Sequence, residues 1–160
     1  MRERPTVRVL LVSPAKRLLL FRAHNHELAG APATFWSTAG GGREGIETIQ
    51  ETAIREIREE TGICDVVLGP VVWYGENVLS FPDFKAVFLQ HYIVAYAATE
   101  ALDHSGWTIQ EQRETAEARW WSLAEIHISN EVIYPTGLAD LLAPILDSIY
   151  PPTPIYLLRM

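Results

Sequence analysis

Residues 40–63 read "GGGREGIETIQETAIREIREETGI", three glycines followed by a segment rich in glutamate, isoleucine and arginine. Thr48 and, three residues later, Glu51 have the form of a capping box, which marks the start of a helix. Gly62 is the residue type that most often follows the last turn of a helix. The sequence therefore predicts a loop over the glycines and a helix over Ile49–Thr61.

The acidic side chains of this helix fall beside its apolar face. With the first helical residue at 0° and about 100° per residue, Ala53, Ile57 and Ile54 lie at roughly 40°, 80° and 140°. These three positions predict the buried stripe. Glu56 and Glu60 lie at about −20° and 20°, which places both carboxylates on the edge of that stripe.

Two interpretations of the acids are open. Glu51, Arg55 and Glu59 follow one another at a spacing of four, as expected for ion pairs on a solvated helix. Glu56 and Glu60 are like charges at the same spacing, which costs roughly a few tenths of a kcal/mol without compensation. A divalent cation such as Mg²⁺ would compensate them, since it is commonly held by one or two carboxylates together with water and phosphate oxygens. The pattern indicates metal-assisted chemistry on a polyphosphate.

The whole chain sets limits on this interpretation. Its 160 residues, 48% of them hydrophobic, predict a single domain over residues 1–160 with an apolar, proline-rich tail at 150–160. A net charge of −7 disfavours binding to a nucleic-acid backbone, and no apolar run is long enough to cross a membrane. Cys64, the only cysteine, is expected to be a buried small hydrophobe. A cytoplasmic location is predicted.

Strands are predicted on both sides of the helix. Residues 6–13 and 17–23 are expected to form a hairpin, followed by a short strand around Phe35 and Trp36. Residues 66–79 and 84–98 read as strands, and the second is apolar on both faces, which predicts a place at the centre of the sheet.

The C-terminal third predicts the remaining elements. Residues 119–126 read as a strand that turns into a short helix, and 135–149 as a closing helix that contains Pro144. The apolar tail is expected to pack on the body of the protein or on a second subunit, which makes a homodimer possible.

The segment over residues 40–63 resembles the signature of the Nudix hydrolases, enzymes that hydrolyse nucleoside diphosphates linked to another moiety. That signature is Gly, five residues, Glu, seven residues, then Arg-Glu-apolar-any-Glu-Glu-any-Gly-apolar. Nine specified positions at fixed spacing make the match specific. They are met by Gly41, Glu47, Arg55, Glu56, Ile57, Glu59, Glu60, Gly62 and Ile63. The resemblance implies the Nudix fold, an α/β fold with a mixed β-sheet sandwiched between helices.

The resemblance also implies a metal site. Glu56 and Glu60 would be direct ligands, Glu59 a direct or water-mediated ligand, and the Gly40 carbonyl a further possible ligand. The implied cofactor is Mg²⁺, for which Mn²⁺ can substitute.

The implied reaction is attack by a metal-positioned water on a phosphorus of a diphosphate bridge. Arg55 would orient the carboxylates, and Glu47 would support the loop and the start of the helix. The general base would be Glu56 or Glu114, which lies six residues before Trp120 in an acidic loop. A solvated loop without a catalytic role is the alternative for Glu114.

The sequence indicates the substrate less specifically than it indicates the metal site and the reaction. Arg43 and Trp36 are the residues expected to contact it, although Trp36 and Tyr74 belong to seven aromatic residues that could equally form core. The expected partner is a nucleoside triphosphate or a nucleoside diphosphate derivative. A nucleotide-sensing module without turnover is one alternative. An isomerase of the isopentenyl diphosphate type needs a catalytic cysteine, and Cys64 is predicted to start a buried strand.

Overall fold

The computed structural model describes residues 2–24, 33–80, 82–105, 107–109 and 115–157. Within this part of the chain, seven strands form one mixed sheet and three helices pack against it. The elements are β1 (Arg2–Val12), β2 (Leu18–His24), β3 (Thr34–Gly42), α1 (Ile49–Thr61), β4 (Val66–Ser80), β5 (Lys85–Ala97), β6 (Thr115–Trp121), α2 (Leu123–Ile128), α3 (Leu138–Leu146) and β7 (Ile155–Leu157).

The strand order is β6-β2-β3-β1-β5-β4-β7. β1 runs parallel to β5 and antiparallel to β3, and β7 runs parallel to β4. The predicted mixed sheet is confirmed, and β5 is an interior strand, although β1 is the central one. The predicted hairpin is wrong, because β3 lies between β1 and β2, which pair only at Val12 and Leu18. An apolar pattern specifies which face of a strand is buried, but it does not specify which strand pairs with it.

Helices α1 and α3 cover opposite faces of the sheet. Val9 of β1 and Ile57 of α1 belong to one buried cluster, whereas Leu10 of β1 packs with Leu142 of α3 in the other. Successive side chains of a strand point to opposite faces, so one strand contributes to both cores. The predicted sandwich of a sheet between helices is confirmed, as is the closing helix with Pro144 inside it.

Helix α1 has the predicted bounds and caps, whereas the glycines before it, predicted as a loop, form the end of β3. The Thr48 hydroxyl accepts a hydrogen bond from the Glu51 N–H at 3.1 Å, and the Glu51 carboxylate accepts one from the Thr48 N–H at 3.3 Å. Gly62 ends the helix with φ of 75°, a conformation that a residue without Cβ adopts at little cost.

The buried face of α1 differs from the prediction. Ile54 is 37% exposed, whereas Thr52 and Thr61 are fully buried. Each threonine hydroxyl donates to the carbonyl oxygen four residues earlier, at 3.0 and 2.6 Å, so burial leaves no unpaired hydroxyl hydrogen. The burial of Thr52, at about −60° on the helix, extends the face against the sheet to the side of Glu56 and Glu60.

Two further predictions concern Cys64 and the tail. Cys64 is exposed, so its predicted burial is wrong, since Ile63 takes the buried place after the helix and β4 begins only at Val66. The tail packs on the body, one of the two predicted alternatives, because β7 pairs with β4 and buries Leu157.

No helix in the described ranges has the length and apolarity needed to cross a membrane.

Candidate active site

Strand β3 carries the glycine run to α1, and two of its glycines are required for different reasons. A Cβ on Gly41 would lie 2.3 Å from Glu56 Oε1, so only glycine leaves room for that carboxylate. Gly40 has φ of 134°, and a Cβ there would lie 2.0 Å from the Val7 carbonyl oxygen. The strand thus approaches the helix closely enough to touch its acidic side chains.

Glu60 lies largely buried between α1 and this strand. The Gly40 N–H donates to Glu60 Oε1 at 2.9 Å. Burial raises the pKa of Glu60 to about 8, although the Gly40 N–H and the charge of Arg8 oppose the shift. Burial also raises the pKa of Glu56, whose carboxyl group hydrogen-bonds to that of Glu60. The pair therefore shares a proton near neutral pH when no cation is bound.

The Arg55 guanidinium connects the remaining acids of the signature. Its Nε and Nη2 donate to the two oxygens of Glu47, both at 2.9 Å. Its Nη1 donates to Glu56 at 3.0 Å and to Glu59 at 3.3 Å, and its Nη2 also donates to the Gly42 carbonyl at 2.9 Å. One planar cation thus holds three carboxylates and the end of β3 in fixed relation.

Both carboxylate oxygens of Glu47 accept hydrogen bonds from Arg55. The hydrogen bonds from Arg55 lower the pKa of Glu47 to about 2, and the Glu44 N–H, at 2.8 Å, acts in the same direction. Glu47 is therefore charged at neutral pH and ties the loop at Glu44 to the helix.

The glutamate pair suits a hard divalent cation. Glu56 and Glu60 bring two carboxyl groups together, and the missing Cβ of Gly41 makes room for the Glu56 carboxylate. Within the described part of the chain, no three His, Cys, Asp or Glu side chains converge to enclose an ion. Two carboxylates nevertheless fit Mg²⁺, which keeps several waters and takes substrate phosphate oxygens. Glu59, with 48% of its side chain exposed, lies at the rim.

The other expected site residues fall in different surroundings. The Arg43 guanidinium is exposed beside the loop, where its Nε donates to the Glu47 carbonyl at 2.8 Å. Trp36 is only 1% exposed and packs edge-to-face on Trp121, with ring centroids 5.0 Å apart. Its expected contact with substrate is not supported, because neither ring face is free. Glu114 lies outside the described residues.

Two residues near the pair were missed by the sequence analysis. Arg8 of β1 donates to the Thr38 carbonyl at 2.6 Å, and its charge opposes the rise in the pKa of Glu60. The available signal was Arg8 as the one charged residue between residues 6 and 12. Trp107 Nε1 donates to the Glu60 carbonyl at 2.7 Å, a contact between distant segments that no local pattern indicates.

The raised pKa of Glu60 predicts how stability depends on pH in metal-free protein. Native Glu60 holds its proton up to a pH of about 8, whereas the unfolded chain releases it near 4.5. The native state therefore binds more protons between these values, and the free energy of unfolding falls as pH rises through this window, by about a few kcal/mol. Denaturant titrations in EDTA from pH 5 to 9 measure the slope.

Glu60→Gln is the comparison for that measurement. Its stability advantage over wild type should be small near pH 5 and largest above pH 8, because glutamine has no proton to lose. Parallel pH profiles for the two proteins would contradict the buried, proton-sharing pair.

The comparisons with known proteins agree with this geometry. The NUDIX domain model matches residues 2–141, so the chain belongs to the Nudix family. It is a hydrolase that acts on phosphorus-containing anhydrides, within a family that uses divalent metals. The comparison with curated proteins finds no match.

Solved structures share the fold over nearly the whole chain. A NUDIX hydrolase from Nitrosomonas europaea has 17% identity and a TM-score of 0.62, with 93% of this chain and 92% of that chain covered. The MutT protein from Methanosarcina mazei Go1 has 23% identity and a TM-score of 0.57, with 92% and 94% covered. An ADP-ribose pyrophosphatase from Streptococcus suis has 18% identity and a TM-score of 0.57, with 96% of each covered.

Proposed function

We propose that this protein is a Mg²⁺-dependent pyrophosphohydrolase that cleaves a diphosphate linkage in a nucleoside triphosphate or a nucleoside diphosphate derivative. The observation that carries the proposal is the pair of Glu56 and Glu60: Glu56 lies against Gly41, and Glu60 accepts a hydrogen bond from the Gly40 N–H. The description of one structural neighbour as an ADP-ribose pyrophosphatase supports the substrate class.

Glu56 and Glu60 would hold the cation, with Glu59 at the rim through water and the Gly40 carbonyl as a further ligand. When bound, Mg²⁺, or Mn²⁺ in its place, supplies positive charge against the phosphate oxygens and lowers the pKa of a bound water. The Gly40 N–H fixes Glu60 Oε1, and the network of Arg55 fixes Glu56, so both carboxylates are oriented before substrate arrives.

Hydrolysis also requires a general base. A water oxygen forms a bond to phosphorus, the bridging oxygen leaves with its electron pair, and a base takes the proton of the water. Glu56 is proposed as that base, because its carboxylate would lie beside the cation that positions the water. Glu114 remains the alternative base. Arg43, exposed beside the loop, is proposed to contact a phosphate group.

A substrate panel tests the proposal. Nucleoside triphosphates, ADP-ribose, nucleotide sugars and dinucleoside polyphosphates are incubated with Mg²⁺ or with EDTA, and phosphate, pyrophosphate and mononucleotide are quantified. Hydrolysis that requires Mg²⁺ supports the proposal, and reaction in ¹⁸O-labelled water identifies the phosphorus attacked. Thermal stabilisation by a nucleotide without any turnover would instead indicate a sensing module.

Arg55→Lys is expected to lower kcat on the best panel substrate by about 10–100-fold, the usual effect of removing a partner that orients metal ligands. Lysine keeps the charge but cannot bridge Glu47, Glu56 and the Gly42 carbonyl at once. Arg58→Lys, at an exposed position of the same helix, is the matched control. Equal kcat values for the two variants would show that Arg55 has no orienting function.

Assembly and location stay predictions made from the sequence. We propose a single domain that forms a homodimer through its apolar C-terminal tail, in which Ile155 is exposed. Light scattering at micromolar concentration measures this, and a monomer would refute it. A cytoplasmic location and a small-molecule nucleotide partner, without nucleic acid or membrane, complete the proposal.

A further inference from the structure

One row of paired residues crosses the sheet on the face that α1 covers. Gly41 of β3 pairs with Val7 of β1, Val7 with His91 of β5, His91 with Tyr74 of β4, and Tyr74 with Tyr156 of β7. Paired residues of neighbouring strands project to the same face. The row therefore starts at the glutamate pair and runs away from it across five strands.

Exposure changes along this row. Val7 is fully buried beneath α1, which packs on β1, β3 and β5. Tyr74 and Tyr156, at the far end, are 42% and 43% exposed, and their ring centroids lie 5.1 Å apart. Trp36, Trp73 and Trp121 are at most 1% exposed, so this pair of rings is left at the surface while other large aromatic residues are buried.

His91 lies between the buried and the exposed parts of the row. Burial, and then the charge of Arg43, lower the pKa of its imidazole, which is therefore neutral at pH 7. Its buried Nδ1 has no hydrogen-bond partner within the part of the chain that the structure describes. Because Nδ1 is shielded from solvent, a ligand would reach the imidazole through Nε2.

The spacing of the row matches an extended nucleotide. Neighbouring strands lie about 4.8 Å apart, which places His91 roughly 10 Å and Tyr74 roughly 14 Å from Gly41. Because α1 covers Val7, a nucleotide with its phosphates at the glutamate pair would pass beside the helix and not over Val7, with its ribose at His91 and its base at the tyrosine rings. Aromatic rings stack on any nucleobase, because every base has a π-face.

We propose that His91, Tyr74 and Tyr156 form a nucleoside-binding platform. One tyrosine ring stacks on the nucleobase of the substrate, and the other, tilted by 59° to it, contacts the edge of the base. The His91 imidazole hydrogen-bonds to the ribose. The inference rests on the proposed function for the position of the phosphates. Tyr156 lies beyond residues 2–141, so β7 adds a substrate contact from outside the segment that the family model matches.

Binding measurements test the platform without requiring turnover. Isothermal titration with ADP, GDP, CDP and UDP in Mg²⁺ is compared with inorganic pyrophosphate, which has no base. Tyr74→Ala and Tyr156→Ala should each weaken nucleoside diphosphate binding by about 10-fold, the usual effect of losing one stacking ring, and leave pyrophosphate binding unchanged. Tyr74→Phe and Tyr156→Phe should bind like wild type. Val67→Ala, an exposed position on the same strand, is the matched control.

The ribose contact has its own readout. His91→Ala should weaken ADP binding and have a smaller effect on 2′,3′-dideoxy-ADP, because the latter lacks the hydroxyl groups that the imidazole would bind. An equal loss for the two ligands would refute this contact. Circular dichroism and unfolding temperatures verify that each variant is folded.

The outcomes separate the platform from the proposed function. If panel hydrolysis persists with unchanged KM in Tyr74→Ala and Tyr156→Ala, the platform is wrong and the proposed function stands. If no panel substrate is hydrolysed but these variants lose nucleoside diphosphate affinity, the proposed function is wrong and the platform stands. Wild-type protein that binds none of the four nucleotides overturns the platform. Variants that turn a dimer into a monomer with unchanged nucleotide affinity overturn it as well, because the tyrosines are then an interface.

Discussion

Glu60→Gln is expected to reduce turnover of the best panel substrate by about 10²–10³-fold, equivalent to the several kcal/mol that a bound cation supplies to the transition state. Glutamine keeps the size of the side chain and can still accept the hydrogen bond from the Gly40 N–H. The substitution removes one negative charge and one strong ligand for Mg²⁺. Steady-state kinetics over a range of Mg²⁺ concentrations measure the loss.

The same variant should be at least as stable as wild type in EDTA, because the cost of a buried carboxylate beside Glu56 is removed. Mg²⁺ should raise its melting temperature less than that of wild type, since a ligand stabilises the state that it binds. Glu51→Gln is the control, because a glutamine at this capping-box position still accepts the Thr48 N–H. Near-wild-type turnover in Glu60→Gln would show that the metal assignment is wrong, and unfolding would assign the acids a structural role.

Gly41→Ala is expected to lower Mg²⁺ affinity and turnover by about 100-fold, at the upper end of effects from displacing the support of a metal ligand. The new Cβ would lie 2.3 Å from Glu56 Oε1, so the carboxylate must move away from the strand. The fold should persist, because Gly41 does not need a left-handed backbone conformation. Calorimetric titration of Mg²⁺ and steady-state kinetics measure the two effects.

Gly42→Ala is the matched control for this substitution. A Cβ at Gly42 would have no heavy atom within 4 Å, although it is the next residue of the same run. Mg²⁺ affinity and turnover should stay close to wild type. If the two alanine variants behave alike, the loss follows from the flexibility of the loop and not from the position of Glu56.

The sequence predicted the parts of the site that lie close together along the chain. The bounds of α1, its capping box and its glycine stop depend on contacts within four residues, and all three are confirmed. The neighbouring Glu56 and Glu60 likewise follow from helical spacing alone. The hydrogen bonds from Arg55 to Glu56 and Glu59 remain within one turn of the same helix.

Contacts between distant segments were decided by the tertiary structure. The insertion of β3 between β1 and β2 brings Gly41 to Glu56, and the apolar pattern of β1 is compatible with other neighbours as well. The burial of Trp36 depends on its packing against Trp121, which is far away in sequence.

The sequence by itself determined the family, the signature helix and the identity of its acids, because spacing along one helix fixes which side chains share a face. The tertiary structure decided the environment of those acids. Gly40 and Arg8 act on Glu60 from two other strands, and the burial that raises its pKa to about 8 arises only when the sheet packs against the helix. Charge and hydrogen-bonding energies depend on distance and solvent exposure in space, and local sequence specifies neither across separate elements.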